Sequence, residues 1–203
     1  MYLLKRATAG LLLISSSLLT LSSFAEPHTF DFDKRHTEIH FEWDHLGASK
    51  NIGHFNDYEG SAIIDLEKPE NSKVDIKIKT SSLNTGLAEL DNELSKKDFF
   101  ASEQHPTITF KSQSVKAVSP TQWKVEGDIT IKGKTKPITL IATLNFSGKH
   151  PLGKFRKNLK DTYLIGFSAE TYLFRSDFNM GKFSPLVSDL ININIQAELT
   201  RKI

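Results

Sequence analysis

Cysteine is absent from all 203 residues. No disulfide framework can staple the chain, no thiolate can act as a nucleophile, and no cysteine is present to carry a lipoprotein-type anchor. Stability has to come from a packed apolar core. The familiar serine-nucleophile signatures are missing too, with no Gly-x-Ser-x-Gly and no Ser-x-x-Lys. Ser49 and seven histidines remain, but a triad is a spatial arrangement that one sequence cannot assign. The chain therefore reads as a non-enzyme with no catalytic residue and no cofactor. An excess of one charge is also lacking, with 26 basic residues against 24 acidic ones. That balance argues against nucleic acid as a partner, since counterion release needs surplus Lys and Arg.

Long apolar runs are scarce, and the one that exists is N-terminal. Lys5 and Arg6 precede the stretch Leu11 to Leu21, and Ser23-Phe24-Ala25 offers small residues at −3 and −1 of a cleavage site. The run is shorter than the ~20 residues of a spanning helix, so it reads as a secretory signal peptide cut after Ala25. Residues 1–25 would be the signal and 26–203 a single domain, periplasmic or secreted. Loss of Lys5 and Arg6 leaves 24 basic residues against 24 acidic, a neutral mature chain.

What is present is alternation. Thr37, Ile39, Phe41 and Trp43 fall on one face of a strand, with Glu38, His40 and Glu42 on the other. Val74, Ile76 and Ile78 alternate with Asp75, Lys77 and Lys79, and Ile138, Leu140, Ala142, Leu144 and Phe146 form another apolar row. Ile191, Ile193, Ile195, Ala197 and Leu199 alternate with Asn192, Asn194, Gln196 and Glu198. Shorter pieces near Ile63, Phe110, Trp123, Ile129 and Tyr163 repeat the pattern. About eight half-buried antiparallel strands without intervening helices indicate an all-β barrel or sandwich. One segment departs: from Gly86 to about Phe100, Leu87, Leu90 and Leu94 recur at helical spacing, with Thr85 placed to cap. This predicts a helical excursion near residues 86–100 covering one mouth of the shell.

Three local signals suggest other chemistry. Gly148-Lys149-His150-Pro151-Leu152-Gly153-Lys154 fits the spacing of a phosphate loop. Phe155, however, stands where Ser or Thr must reach magnesium, and no amphipathic helix follows. A solvated basic loop is the plainer reading. Its Lys149, Lys154, Arg156, Lys157 and Lys160 could also favour anionic headgroups or an acidic partner. Five of the seven histidines lie between His28 and His54, and His36-Glu38-His40 share a strand face. Residues two apart on a strand are about 7 Å apart, and His36 and His40 about 13 Å, so this trio cannot hold one ion without neighbouring strands. No metal site is assigned. Fourteen Phe and two Trp suit a cavity or a filled core equally, and small barrels lie on that boundary.

The order of several short pieces resolves this further. Asp33, His36-Thr37, Phe41, His45-Leu46-Gly47, Gly53 and Phe55 come first. Ser82, Thr85, Asp91, Leu94, Asp98-Phe99-Phe100 and Pro106-Thr107-Ile108-Thr109-Phe110 follow. Gly127-Asp128-Ile129-Thr130, Gly133, Thr135, Pro137, Gly166-Phe167 and Arg175-Ser176-Asp177-Phe178 close the series. Together they resemble the YceI-like family of bacterial secreted proteins over essentially the whole mature chain. The resemblance implies a lipocalin-like antiparallel barrel of about eight strands, whose tunnel holds an isoprenoid lipid of polyprenyl or quinone type for carriage, storage or sensing. Alternation then nominates the wall: Ile39, Phe41, Trp43, Ile76, Ile78, Phe110, Leu140 and Phe167, with Leu87, Leu90 and Leu94 at the rim. The inward sign of each strand stays open, and so do transient membrane contact and a homodimer. The competing readings are a filled barrel acting through its surface in stress response or secretion, and metal binding on the His36-Glu38-His40 face.

Two departures from the family pattern stand out. Leu90-Asp91-Asn92-Glu93-Leu94 replaces Arg-Asp-x-His-Leu, removing positive charge beside the expected entrance. Asn179 stands where Gly commonly follows Arg-x-Asp-Phe, and Asn tolerates a left-handed backbone. Arg175 and Asp177, two apart, would pair if that segment were extended. Asp44-His45 has no nucleophile near it in sequence, so His45 reads as a turn or mouth-lining residue.

Overall fold

The computed structural model describes residues 26–203, so the signal-peptide expectation for residues 1–25 lies outside the described part. Its strands are β1 (His28–Phe32), β2 (Glu38–His45), β3 (Ser49–Phe55), β4 (Tyr58–Ile64), β5 (Lys73–Lys79) and β6 (Leu83–Asn84). After the helix α1 (Ala88–Ser95) come β7 (Thr107–Ala117), β8 (Gln122–Ile131), β9 (Lys134–Lys149), β10 (Thr162–Phe174) and β11 (Leu190–Lys202). Eight of these close a ring in the order β1, β4, β5, β7, β8, β9, β10, β11, every pair antiparallel. Closure falls at β1, where Asp31 lies opposite Ser61 of β4 and opposite Thr200 of β11. This is the antiparallel barrel that the family resemblance implied, and one of the two all-β architectures that the alternation allowed.

The remaining strands prolong the wall past a corner. β2 runs on from β1 along the same β11, with Ile39 opposite Ile195, and β3 and β6 extend the layers next to it. At the corner the ladder is interrupted, and Thr37 bridges the gap. Its hydroxyl donates to the Glu198 carbonyl at 3.1 Å and accepts the Glu198 N–H at 3.0 Å. A buried hydroxyl thus substitutes for the missing main-chain bonds.

Strand faces follow the sequence pattern. In β8 every second residue, from Trp123 to Ile131, is buried. In β2 those residues are Ile39, Phe41 and Trp43. Phe146 is the exception. Leu144 faces Phe167, but the next pair joins Phe146 to Gly166, leaving Asn145 as an extra residue in β9. Such a bulge inverts the side-chain parity beyond it. Phe146 therefore leaves the apolar row and turns outward, 39% exposed.

At one end the barrel opens. β6 does not pair with β7, and β9 pairs with β10 only from Ile141 onward. Residues 85–106, including α1, occupy the first gap, and the 3-10 turn Arg175–Phe178 occupies the second. The helix is shorter than the expected 86–100, ending where Lys96 turns extended at ψ 172°. Thr85 does not cap it; Leu87 holds that position without a side-chain bond. Instead the Asp91 carboxylate accepts both the Thr85 N–H and its hydroxyl at 2.7 Å, tying helix to preceding chain. Asn179 adopts the left-handed conformation, φ 57° and ψ 39°, so the turn is kept without glycine.

The other end is packed shut. Phe30, Ile165 and Leu199 are buried there, Ile165 completely, and the Arg201 guanidinium lies 5.6 Å from the ring centres of both Phe30 and Tyr163. Gly148 and Lys149 end β9, and two 3-10 turns follow rather than a helix. A phosphate-binding loop is thereby ruled out, since it needs a helix N-terminus. The loop's five cations make no ion pair among the described residues, and Phe155 in their midst is 83% exposed.

Candidate functional site

Between the packed end and the open end the barrel is hollow, with a cavity of about 590 Å³. Its wall is almost wholly aliphatic and aromatic. Two glycines make room for phenyl rings: Gly53 lies opposite Phe41, and the Phe110 ring occupies the space over Gly127. A side chain at either glycine would collide with the ring across from it. Phe41 in turn stacks on Trp43 at 5.6 Å and meets Phe55 at 5.4 Å, so the aromatics form one side of the lumen. Both tryptophans of the chain, Trp43 and Trp123, face the cavity.

All eleven residues nominated from the sequence line this space: Ile39, Phe41, Trp43, Ile76, Ile78, Leu87, Leu90, Leu94, Phe110, Leu140 and Phe167. The first five, with Phe110, Leu140 and Phe167, come from alternating strands. Leu87, Leu90 and Leu94 come from the α1 segment, Leu87 being 64% exposed at the rim. Sequence reasoning missed the parts of the wall carried by irregular chain. Phe99 and Phe100 follow the helix, and Met180, Phe183 and Val187 come from the long β10–β11 connection. The aromatic clustering around Phe99-Phe100 and Phe178-Phe183 was the available signal.

Polar groups are few and mostly committed. Arg175 is buried at the open end, yet no carboxylate touches it. Its guanidinium donates to the carbonyls of Ser188 (2.8 Å), Met180 (2.6 Å), Lys182 (3.3 Å) and Val187 (2.8 Å). Burial pushes its pKa down, partly offset by the charge of Asp189. The expected pair with Asp177 does not form, because Arg175–Phe178 is a 3-10 turn rather than a strand. Asp177 faces Lys136 instead, at 3.1 Å. Arg175 thus staples the rim loop from inside.

Ion pairs close the outside of the same end. Lys182 donates to Asp98 at 2.7 Å and lies 3.9 Å from Glu93, whose carboxylate also accepts from Lys96 at 2.8 Å. The hydrogen bond from Lys96 lowers the Glu93 pKa, as that from Lys182 lowers the Asp98 pKa. Glu93, one of the departures noted above, is therefore tied into the rim. Thr171 donates to the Thr139 carbonyl at 2.7 Å, and Ser72 bonds the Asp65 backbone.

The histidine reading resolves differently from its sequence form. His36 meets Asp33 (3.0 Å) and Glu198 (3.7 Å), not Glu38 and His40. His40 lies across the ladder from His54, ring centres 5.7 Å apart. The trio Asp33, His36 and Glu198 brings its ligand atoms within 4.8 Å. Arg35 already occupies the Asp33 carboxylate, supplying the positive charge that an ion would bring.

The YceI-like domain family model matches residues 30–199. A UPF0312 protein of Pseudomonas savastanoi pv. phaseolicola is 34% identical over 200 residues, covering 98% of this chain and all of that protein. The Campylobacter jejuni YceI crystal structure aligns at TM-score 0.68 and 31% identity, over 79% of this chain and 90% of that one. A polyisoprenoid binding domain from Saccharophagus degradans aligns at TM-score 0.57 over 84% of this chain and 97% of its own, at 11% identity, a likeness of fold alone. The chain belongs to the YceI-like family.

Proposed function

We propose that this chain is an exported binding protein that holds an isoprenoid lipid, polyprenyl or isoprenoid quinone, inside its barrel and acts by carriage, storage or sensing rather than by catalysis. The observation that carries this reading is the unfilled, apolar lumen of about 590 Å³ in a barrel whose far end is tightly packed. Protein interiors are ordinarily filled to crystal density, so a hollow of this size is costly unless a guest occupies it. Its volume lies in the usual range for ligand pockets. Removing a long apolar chain from water contributes about 25 cal/mol per Å² buried, less the cost of ordering the guest. The fold likeness to a protein described as polyisoprenoid binding supports the same guest class.

Loading requires an opening, and the rim suits one. Leu46, Leu87, Phe183 and Leu186 are each more than half exposed around it, and Leu87 and Phe183 also line the cavity. A lipid tail can pass over these side chains from a bilayer without crossing open water, which supports transient membrane contact.

The test uses the two lumen tryptophans. Titration with an isoprenoid quinone should quench their fluorescence saturably, and Ala142→Phe, which places a ring in the lumen, should abolish the effect in a folded protein. Quenching that never saturates, or that survives Ala142→Phe unchanged, would remove the lumen as the binding site.

A further inference from the structure

Resting on the lipid reading above, we infer that the guest is held in one direction, its uncharged polar head hydrogen-bonded by His45 and Asn51 at the open end and its tail toward Phe30 and Ile165. Residues opposite each other across a ladder point to the same face, and so do residues two apart along a strand. Trp43 faces the lumen, Asn51 lies directly opposite it, and His45 lies two residues further toward the mouth. Along this inner face Ile39, Phe41, Gly53 and Phe55 are apolar, and beyond Trp43 the face turns polar with His45 and Asn51, both half-buried cavity residues.

The other polar groups of the lumen are occupied, except His40, which lies on the opposite face of β2 with its ring against that of His54. Arg175 is spent on four carbonyls, Glu93 on Lys96 and Lys182, Thr171 on the Thr139 carbonyl and Ser72 on Asp65. Neither the His45 ring nor the Asn51 amide has a hydrogen-bond partner among the described residues. A half-buried amide and imidazole without partners are costly unless something completes them, and together they offer donors and acceptors but no fixed charge. That matches a carbonyl or hydroxyl head rather than a phosphate. The hairpin tip carrying them is fixed independently, by the bridge from His45 to Val187 and by the Leu46 N–H on the Leu186 carbonyl at 2.8 Å. Asn51 also borders a second, shallower cleft that shares Trp43, Leu87 and Leu90 with the lumen, so the head would lie beside an exit.

The experiment compares three ligands with the same tail: an isoprenoid quinone, an isoprenoid alcohol and the bare isoprenoid hydrocarbon. Affinity is read by displacement of an apolar fluorescent probe from wild type, His45→Leu/Asn51→Leu and Asn51→Gln. Wild type should prefer the headed ligands to the hydrocarbon by about tenfold or more, roughly one well-made hydrogen bond. The double variant should lose that preference while holding the hydrocarbon as before, and Asn51→Gln should keep part of it. Whichever of quinone and alcohol retains the preference identifies the head. Equal affinity for all three in wild type, or a preference that survives the double variant, overturns the orientation while leaving the lipid reading standing. Failure of all three to displace the probe overturns both.

Discussion

The two ends of the barrel are held by different forces. At the closed end Phe30 and Ile165 pack beyond the lumen and seal it off, and stability comes from contact with neighbours on every side. At the open end a second apolar cluster, with Phe41, Ile131, Phe178 and Met180 among its buried members, packs around the lumen. There the chain is fixed around its circumference by polar bonds: Arg175 to four carbonyls, Lys182 to Asp98, and Lys132 to the carbonyls of Lys97 and Asn179. A barrel that must stay hollow has to supplement packing at its mouth. It does so with hydrogen bonds placed behind the wall.

Arg175→Leu should show the largest effect of this division. It leaves four carbonyls short of a donor, a loss of about 3–5 kcal/mol by analogy with broken buried polar clusters. Thermal unfolding should fall steeply, and guest binding should fall with it because the rim loop loses its staple. Lysine should not restore either property, since it lacks the planar fork that reaches several acceptors. Ile165→Ala, at the closed end, should cost about 2–4 kcal/mol through the cavity it leaves. Quinone affinity should stay within about twofold in that variant, because Ile165 does not line the lumen. Equal loss of binding in both variants would erase the distinction between the ends.

Smaller effects separate the corner from the Lys182–Asp98 pair at the rim. Burial alone would raise the pKa of Asp33, but hydrogen bonds from the Arg35 N–H, the His36 ring and the Arg35 guanidinium outweigh it and hold it at about 2. A depressed carboxylate stabilises the fold above its unfolded pKa of about 3.9 and loses that contribution as pH falls toward 2. Partial solvent access reduces the contribution to about 1 kcal/mol. Denaturant titrations at pH 6 and pH 2.5 should differ less by that amount in Asp33→Asn. Lys182→Ala, which removes an exposed pair, should leave stability nearly unchanged. It should nevertheless speed guest release in a stopped-flow displacement, because it frees the Phe99 segment from the rim loop.

The fold was legible in the sequence wherever burial on one face imposed a period of two, as from Ile39 to Trp43 or Ile191 to Leu199. The same alternation brought the eight nominated strand residues to the lumen, and helical spacing brought Leu87, Leu90 and Leu94. What it could not carry is telling. One extra residue at Asn145 reversed Phe146, since alternation has no memory across a bulge. The spacing of Arg175 and Asp177 assumed an extended chain, and a 3-10 turn sent them apart. Thr85 had the chemistry of a cap but was captured by Asp91, six residues further on in the first turn of α1. Whether the interior was hollow could not be read at all, because Phe and Trp serve a filled core as well as a lined one.

Hollowness with a purpose is the central claim, and native mass spectrometry of the protein purified from its own host, coupled to organic extraction, tests it most directly. Wild type should carry a bound mass that the extract resolves as a polyprenyl compound, and Ala142→Phe should carry none. A wild-type protein that is folded, consistently empty and unable to take up an added isoprenoid lipid would contradict it.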